Sequence, residues 1–364
     1  MAWDETDESR LQTLAQRHGW SVEAVRELRT WIRDLLDETR DSADRETVLG
    51  ATRIPSEDRV APEMPTDRFE LRAALGSGGM GEVWRVWDRS LRRSMAMKTV
   101  RADRRDAASL LARFVAEAQV TSQLRHPAIV PVHELGTLPD GRLFFTMREV
   151  RGFTLSWVVS QLHKASVDTW SQTADGWDLA WIIERFAQTC DAVGYAHERG
   201  VVHRDLKPTN IMIGEFGEVQ VIDWGVAKVV GEGADEPVDT QLTDDPEQTA
   251  HGDVIGTPAY IPPEQAYGTS ERVDPRADVY ALGAILYEVL SNRPPFEAIP
   301  GQPVLSQVLD GPPISVGRTG GPTAPEGLAT VCERAMSRDR GGRFANGTEL
   351  AQAVRTWLTD RASP

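Results

Sequence analysis

From Phe69 onward, apolar and polar positions alternate at the period of a strand. Phe69-Glu70-Leu71-Arg72-Ala73-Ala74-Leu75 runs into a cluster of glycines, and Val83-Trp84-Arg85-Val86-Trp87 alternates again beyond it. Ala96-Met97-Lys98-Thr99-Val100 and Leu143-Phe144-Phe145-Thr146-Met147-Arg148-Glu149-Val150 keep this character, so a small antiparallel sheet is predicted. Between them, Leu111, Phe114, Val115, Ala118 and Leu124 mark the apolar side of a helix from about Ala107 to Leu124. Past residue 150 the period becomes helical. Gly152-Phe153-Thr154-Leu155 is expected to start a helix, and residues 163–176 read as a long loop. Leu179, Ile182, Ile183, Phe186, Cys190 and Val193 then recur at core-helix spacing. Ile211-Met212-Ile213 and Val219-Gln220-Val221-Ile222 read as short buried strands with a tight turn at Gly214 to Gly217, and the chain ends in helices around Val331 and from Leu350 to Leu358.

Upstream, residues 1–40 read as a helical hairpin. Leu11, Leu14, Ala15 and His18 share a face ended by Gly19. Ser21 is a suitable N-cap, followed by Val25, Leu28, Trp31, Ile32 and Leu35 at helical spacing. That stripe needs a cover, and packing on the next domain or docking to a partner, a second copy included, are equally open. Residues 41–66, charged and carrying Pro55, Pro62 and Pro65, read as a linker.

The chain has 364 residues, enough for two or three domains. Its formal charge of −15 removes the basic footprint that a nucleic-acid or anionic-membrane partner requires. Cys190 and Cys332 have no metal-ligand spacing and read as thiols of a reducing compartment. No signal-like segment opens the chain, and the apolar stretch Ala281 to Leu290 carries Glu288 and is too short to span a bilayer. The expectation is a cytoplasmic protein without a membrane partner.

The chemistry concentrates in His203-Arg204-Asp205-Leu206-Lys207-Pro208-Thr209-Asn210. Val201 and Val202 precede it and the strand from Ile211 follows, so the polar groups sit on a loop with a rigid base; Pro208 is expected to keep helix out of it. Asp205 can orient and deprotonate a hydroxyl, Lys207 can neutralise a phosphate, and Asn210 can ligate a hard metal through its amide oxygen. Gly76-Ser77-Gly78-Gly79-Met80-Gly81 lets backbone N–H groups approach a polyphosphate closely. The strand after that loop distinguishes it from a dinucleotide-binding turn, which opens a helix. Lys98, inside an apolar strand, is costly unless paired. Asp223, at a strand end before Trp224-Gly225, stands where a metal-binding carboxylate belongs.

His203 to Asn210 resembles the catalytic loop of the protein kinases, H-R-D-x-x-x-x-N, in the serine/threonine form with Lys two places after Asp. The other motifs follow in family order: the glycine-rich loop, Lys98, His126-Pro127-Ala128-Ile129-Val130, Asp223-Trp224-Gly225 in place of D-F-G, Gly256-Thr257-Pro258-Ala259-Tyr260-Ile261-Pro262-Pro263-Glu264 in place of G-T-x-x-Y-x-A-P-E, and Asp278-Val279-Tyr280-Ala281-Leu282-Gly283. The resemblance covers about Phe69 to Leu358, and the Glu264-Gln265 ending points to the bacterial eukaryotic-like branch.

The resemblance implies an α+β, bilobal kinase fold with an N-terminal helical extension: kinase domain 67–358, small antiparallel-sheet lobe 67–150, large helical lobe 151–358. It implies ATP and Mg²⁺ as cofactors and proteins bearing Ser or Thr as substrates. Asp205, Lys207, Lys98 and Glu117 would be catalytic, with Glu117 pairing with Lys98. Leu75, Gly76, Ser77, Gly78, Gly79, Met80, Gly81, Val83, Ala96, Lys98, Met147 and Val150 would bind nucleotide, and Asn210 and Asp223 the metal. Glu264 would pair with Arg343, and Asp278 would support the catalytic-loop backbone. Arg204 beside Asp205 points to a phosphothreonine partner among Thr240, Thr243 and Thr249. The competing readings are a catalytically silent pseudokinase that binds nucleotide as a scaffold, and a small-molecule phosphotransferase of related fold. Retention of Lys98, Asp205 and Asp223 argues against the first. The peptide-platform segment from 226 to 264 argues against the second.

Overall fold

The computed structural model describes residues 68–78, 81–104, 108–230, 238–240, 256–268, 273–318 and 321–362. The hairpin and linker expected over 1–66 lie outside them, as do Gly79, Met80, Thr243 and Thr249. Strands β1 (Phe69–Ser77), β2 (Gly81–Asp88), β3 (Arg93–Val100), β4 (Val132–Thr137) and β5 (Leu143–Met147) form one antiparallel sheet in the order β1-β2-β3-β5-β4. The alternation of the sequence is the pleat. On β2, Trp84 and Val86 are buried in a small core with Phe69, Met95 and Met97, while Val83, Arg85 and Trp87 point to the other face. Helix α1 (Ala108–Gln123) packs Phe114 and Ala118 against Val100 and Phe145.

The large lobe is built on α2 (Leu155–Ala165), α3 (Leu179–Glu198), α4 (Pro263–Ala266), α5 (Pro275–Ser291), α6 (Val304–Asp310), α7 (Glu326–Ala335) and α8 (Gly347–Ala362). The apolar faces of α2, α3, α5, α7 and α8 share one core that includes Ile182, Phe186, Leu282 and Leu286. Helix α5 starts cleanly because the Asp274 side chain accepts from Arg276 N and Pro275 needs no partner for an N–H it lacks; it stops at Asn292 in the left-handed region. Helix α8 lies close on α3. A Cβ on Gly347 would stand 2.5 Å from the Cys190 carbonyl oxygen, so only glycine allows that approach. Among the described residues no helix is long and apolar enough to cross a membrane.

Two sequence expectations are corrected. Gly152-Phe153-Thr154 does not begin a helix; it forms strand β6 (Gly152–Thr154), paired with β8 (Ile211–Gly214), which in turn pairs with β9 (Val219–Val221). Any Cβ on Gly152 would collide with the Ile213 carbonyl, and the helix begins only after Thr154, whose hydroxyl accepts from Trp157 N at 3.2 Å. Pro208 does not exclude helical geometry but opens a single 3₁₀ turn, Pro208–Asn210, where its missing N–H is not needed.

Two carboxylates, one nearly and one fully buried, tie these elements together. Glu264 on α4 accepts from Arg343 Nη1 and Nη2 at 2.7 and 2.9 Å, and Arg343 also donates to the Arg276 and Ser337 carbonyls. Asp278 on α5, 1% exposed, accepts from His203 N (2.7 Å), Arg204 N (2.9 Å) and the His197 ring (2.9 Å). Burial pushes the Asp278 carboxyl up, but the hydrogen bond from His197 and the groups of His203 outweigh it and hold it below its ordinary value.

Each carboxylate makes a prediction. Because Arg343 is fully buried, Arg343→Ala removes the two short hydrogen bonds to Glu264, which keeps the longer Arg340 contact at 3.9 Å, and is expected to lower the unfolding free energy by roughly 3–5 kcal/mol in urea denaturation. A loss near zero would show the pair to be dispensable. For Asp278 the depressed folded pKa means stability that is present above the unfolded value and lost as pH falls. The advantage of wild type over Asp278→Asn is therefore expected to be full at neutral pH and to fade below about pH 4, measured as denaturation midpoints across that range. An advantage that grew on acidification would reverse the sign.

Candidate active site

The roof of the site is the sheet face that carries Lys98. Val83 pairs with Lys98, Arg85 with Ala96, and Ala96 with Met147 across the ladder, so Val83, Ala96 and Lys98 line one surface. Met147 ends β5 in an apolar cluster with Phe114 and Phe145, and Val150 follows in the connection to the large lobe. Leu75, Gly76 and Ser77 finish β1, and Gly81 begins β2. Gly78 N donates to Gly81 O at 2.8 Å. Among the described residues, its chain neighbours aside, nothing stands within 4 Å of where a Gly78 Cβ would sit, so their packing does not demand glycine there. A Cβ on Gly81, in contrast, would lie 2.5 Å from the Thr99 carbonyl oxygen.

Lys98 is not left unpaired in its apolar strand. Its Nζ donates to both Glu117 oxygens, at 2.6 and 2.8 Å, and to Asp223 Oδ1 at 3.3 Å. Burial by itself lowers the Lys98 pKa, but the Glu117 and Asp223 charges outweigh it, and the ammonium is held above its ordinary value. Burial pushes the Glu117 carboxyl up against the pull of Lys98. The Asp223 carboxyl is held down chiefly by Lys98, and its side chain is 43% exposed. Glu117 is thus buried structure rather than the solvated helix charge its sequence neighbourhood alone would indicate.

The floor is the catalytic-type loop between β7 (Val201–Val202) and β8. Asp278 gathers the His203 and Arg204 amides, which turns Arg204 to φ +67°. Arg204 then donates from Nε to Val226 O. Asp205 Oδ2 accepts from Lys207 Nζ at 2.9 Å. Asp205 Oδ1 accepts from Thr257 N and Thr257 Oγ1, each at 2.8 Å. Lys207 also donates to Thr257 Oγ1 at 2.9 Å. Asn210 donates its amide N–H to Asp205 O at 2.9 Å, so its amide oxygen keeps its acceptor capacity. Asn210 O in turn accepts from Ile222 N, which fixes the strand end that carries Asp223 at φ +64°.

The arrangement therefore brings Lys98, Glu117, Asp223, Asp205, Lys207 and Asn210 into one linked network, with Val83, Ala96, Met147 and the described glycines around it. Thr257 received no role from the sequence, although it stands inside the quoted Gly256-to-Glu264 segment. Its hydroxyl-bearing position at the start of that segment was the available signal. Two oxygen donors, Asp223 and Asn210, suit a hard divalent cation whose remaining ligands come from phosphate oxygens and water.

A family model described as the protein kinase domain matches residues 69–321. The chain is 33% identical over 312 residues to the serine/threonine-protein kinase PknD of Protochlamydia amoebophila, covering 82% of this chain and 30% of that relative. It is 36% identical over 296 residues to the serine/threonine-protein kinase PknB of Mycolicibacterium smegmatis, covering 80% and 43%. PknB of Mycobacterium tuberculosis aligns at 36% over 295 residues. The chain spans less than half the length of these relatives. With the bilobal fold and the linked site residues, these matches carry one conclusion: this chain belongs to the protein kinase family, in the bacterial branch of eukaryotic-like serine/threonine kinases.

Proposed function

We propose that this chain transfers the γ-phosphoryl group of ATP to Ser or Thr hydroxyls of proteins, its own activation segment included. The observation that supports it best is the unbroken chain of contacts from Glu117 through Lys98 to Asp223, whose neighbour Ile222 donates its N–H to the Asn210 carbonyl in the loop that carries Asp205 and Lys207. Asp205 is the group that orients the attacking hydroxyl and accepts its proton. Thr257 and Lys207 hold its two oxygens, so the carboxylate presents a fixed direction. Lys207, two residues on, offsets charge on the transferred group. Lys98, aligned by Glu117, holds the α- and β-phosphates. The glycine-rich loop admits them, with Val83, Ala96 and Met147 around the base and Val150 offering its backbone. Asn210 and Asp223 would hold Mg²⁺, which when bound neutralises charge between the phosphates. Positioning and electrostatics then supply most of the barrier reduction.

The pseudokinase alternative keeps the nucleotide but not the transfer, and the intact Asp205–Lys207–Thr257 arrangement is what weighs against it. A protein rather than a small-molecule acceptor fits the long segment between Asp223 and Glu264. The buried thiols Cys190 and Cys332 fit a cytoplasmic site of action, and the −15 charge fits protein rather than nucleic-acid partners. Residues 1–40 are the part of this reading assigned to docking or self-association.

Incubation with labelled ATP and Mg²⁺ followed by mass spectrometry tests the proposal. The wild type is expected to carry label on one or more of Thr240, Thr243 and Thr249. Asp205→Asn is expected to lose roughly 10²–10⁴-fold in rate while still binding ATP. Near-normal turnover in Asp205→Asn removes the assigned role, and active enzyme with none of the three threonines modified removes the autophosphorylation claim.

A further inference from the structure

The segment that joins the lobes carries a charged group at a place where the network above does not use one. Glu149 lies between Met147 and Val150, yet its side chain is only 4% exposed. It turns back onto the sheet. Its Oε1 accepts from Arg85 Nε and lies 2.6 Å from Arg85 Nη2, and its Oε2 accepts from Ser94 Oγ at 2.5 Å. Arg151 adds a longer contact at 3.7 Å.

The ladder tells which face this is. Side chains two apart on a strand share a face. On β3 that row is Ser94, Ala96, Lys98; on β2 it is Arg85 and Val83, paired with Ala96 and Lys98. One surface therefore runs from Lys98 at one end, over Ala96 and Val83, to Arg85, Ser94 and the Glu149 carboxylate at the other. Four residues of strand span about 13 Å, the scale of a nucleoside triphosphate laid along it. Lys98 and its partners hold the end where phosphates belong. The Glu149 contacts close the end where the base belongs, and they do so by fastening the interlobe connection to the sheet rather than by filling the cleft.

We propose that Glu149, held by Arg85 and Ser94, is a positioning residue for the purine: an ionic latch that sets the height of the Met147–Val150 backbone against the Val83–Ala96 roof. The inference rests on the nucleotide-binding reading above and deepens it. A single ion pair of this kind is worth little as stability when its arginine is about one-third exposed, as here. Its geometric effect is larger, because a nearly buried carboxylate that loses its arginine must move to find water or another partner, and it takes the connection with it. Glu149→Gln keeps the shape and the Ser94 hydrogen bond but loses the charge, and Arg85→Gln removes the other half of the pair.

The test separates the two ends of the surface in the full chain. Adenosine reads the purine end and inorganic tripolyphosphate with Mg²⁺ reads the Lys98 end, both by calorimetry. Glu149→Gln and Arg85→Gln are each expected to weaken adenosine by about tenfold and leave tripolyphosphate within about twofold. The double variant is expected to be no weaker than the worse single one, because both substitutions break one contact. In turnover assays the same variants raise the KM for ATP and leave kcat unchanged. Adenosine affinity unchanged in both variants overturns the latch. So does an equal loss of both ligands, which is the mark of general destabilisation. Wild-type protein that binds nucleotide but transfers no phosphoryl group overturns the transferase reading alone, and the two binding ratios still decide the latch. Wild-type protein that binds neither ligand overturns both.

Discussion

One buried carboxylate organises the catalytic loop. Asp278 takes two consecutive backbone amides, from His203 and Arg204, and a ring N–H from His197. Two neighbouring amides can converge on one carboxylate only if the chain turns sharply between them, and Arg204 accordingly sits in the left-handed region. That conformation costs a non-glycine residue about 1–3 kcal/mol. Charge-assisted hydrogen bonds in a buried setting more than offset it, whereas amides left buried and unpaired would add to the cost. Asp205 is the next residue, so the direction of its carboxylate is inherited from α5. His197 carries the constraint further. Its Nδ1 accepts from Gly347 N at 3.2 Å, which leaves the proton on Nε2 for Asp278. Helices α3, α5 and α8 thus meet at one imidazole, and the close approach that glycine permits at position 347 is part of the same arrangement.

The second constraint joins the lobes electrostatically. Lys98 belongs to the sheet, Glu117 to the helix packed on it, and Asp223 to the large-lobe strand end. Buried ion pairs of this kind give little net stability, because desolvation takes back most of the Coulomb gain. What they give is geometry: three groups on three elements whose positions satisfy one another. The Glu149–Arg85 contact does the same at the opposite end of the face, so the sheet is referenced to the rest of the chain at both ends of the cleft.

Much of this was legible in the sequence, for reasons that differ by residue. The strand alternation around Val83 and the helical stripe from Leu179 to Val193 are burial patterns, and the structure buries Trp84 and Val86 on the first and every position of the second. Lys98 was legible because a lysine in an apolar strand demands a partner, and Glu117 only because the family resemblance places that partner on the following helix. The beginning at Gly152 was misread because local composition cannot report that the Ile213 backbone passes too close for a side chain. Thr257 and Glu149 were passed over for a related reason. Each acts on residues distant in sequence, 52 positions for Thr257 and Asp205 and 64 for Glu149 and Arg85, and no local period encodes such a contact.

Trp224 shows how the same logic handles a departure from the family pattern. Where kinases carry Phe between the metal-site acid and glycine, this chain buries an indole at 1% exposure, with its ring 4.6 Å from that of His203. Among the described residues its Nε1 finds no hydrogen-bond partner. An unpaired buried N–H costs about 1–3 kcal/mol, while an aromatic side chain of this size gains a comparable or larger amount from the area it removes from water. Packing therefore outweighs the polar penalty, and the indole is held by shape alone. The neighbouring Asp223 stands at φ +64° between this wedge and the strand end fixed by Asn210. Its carboxylate is directed by the Lys98 ammonium, while the buried Trp224 next to it in sequence anchors the backbone that carries it.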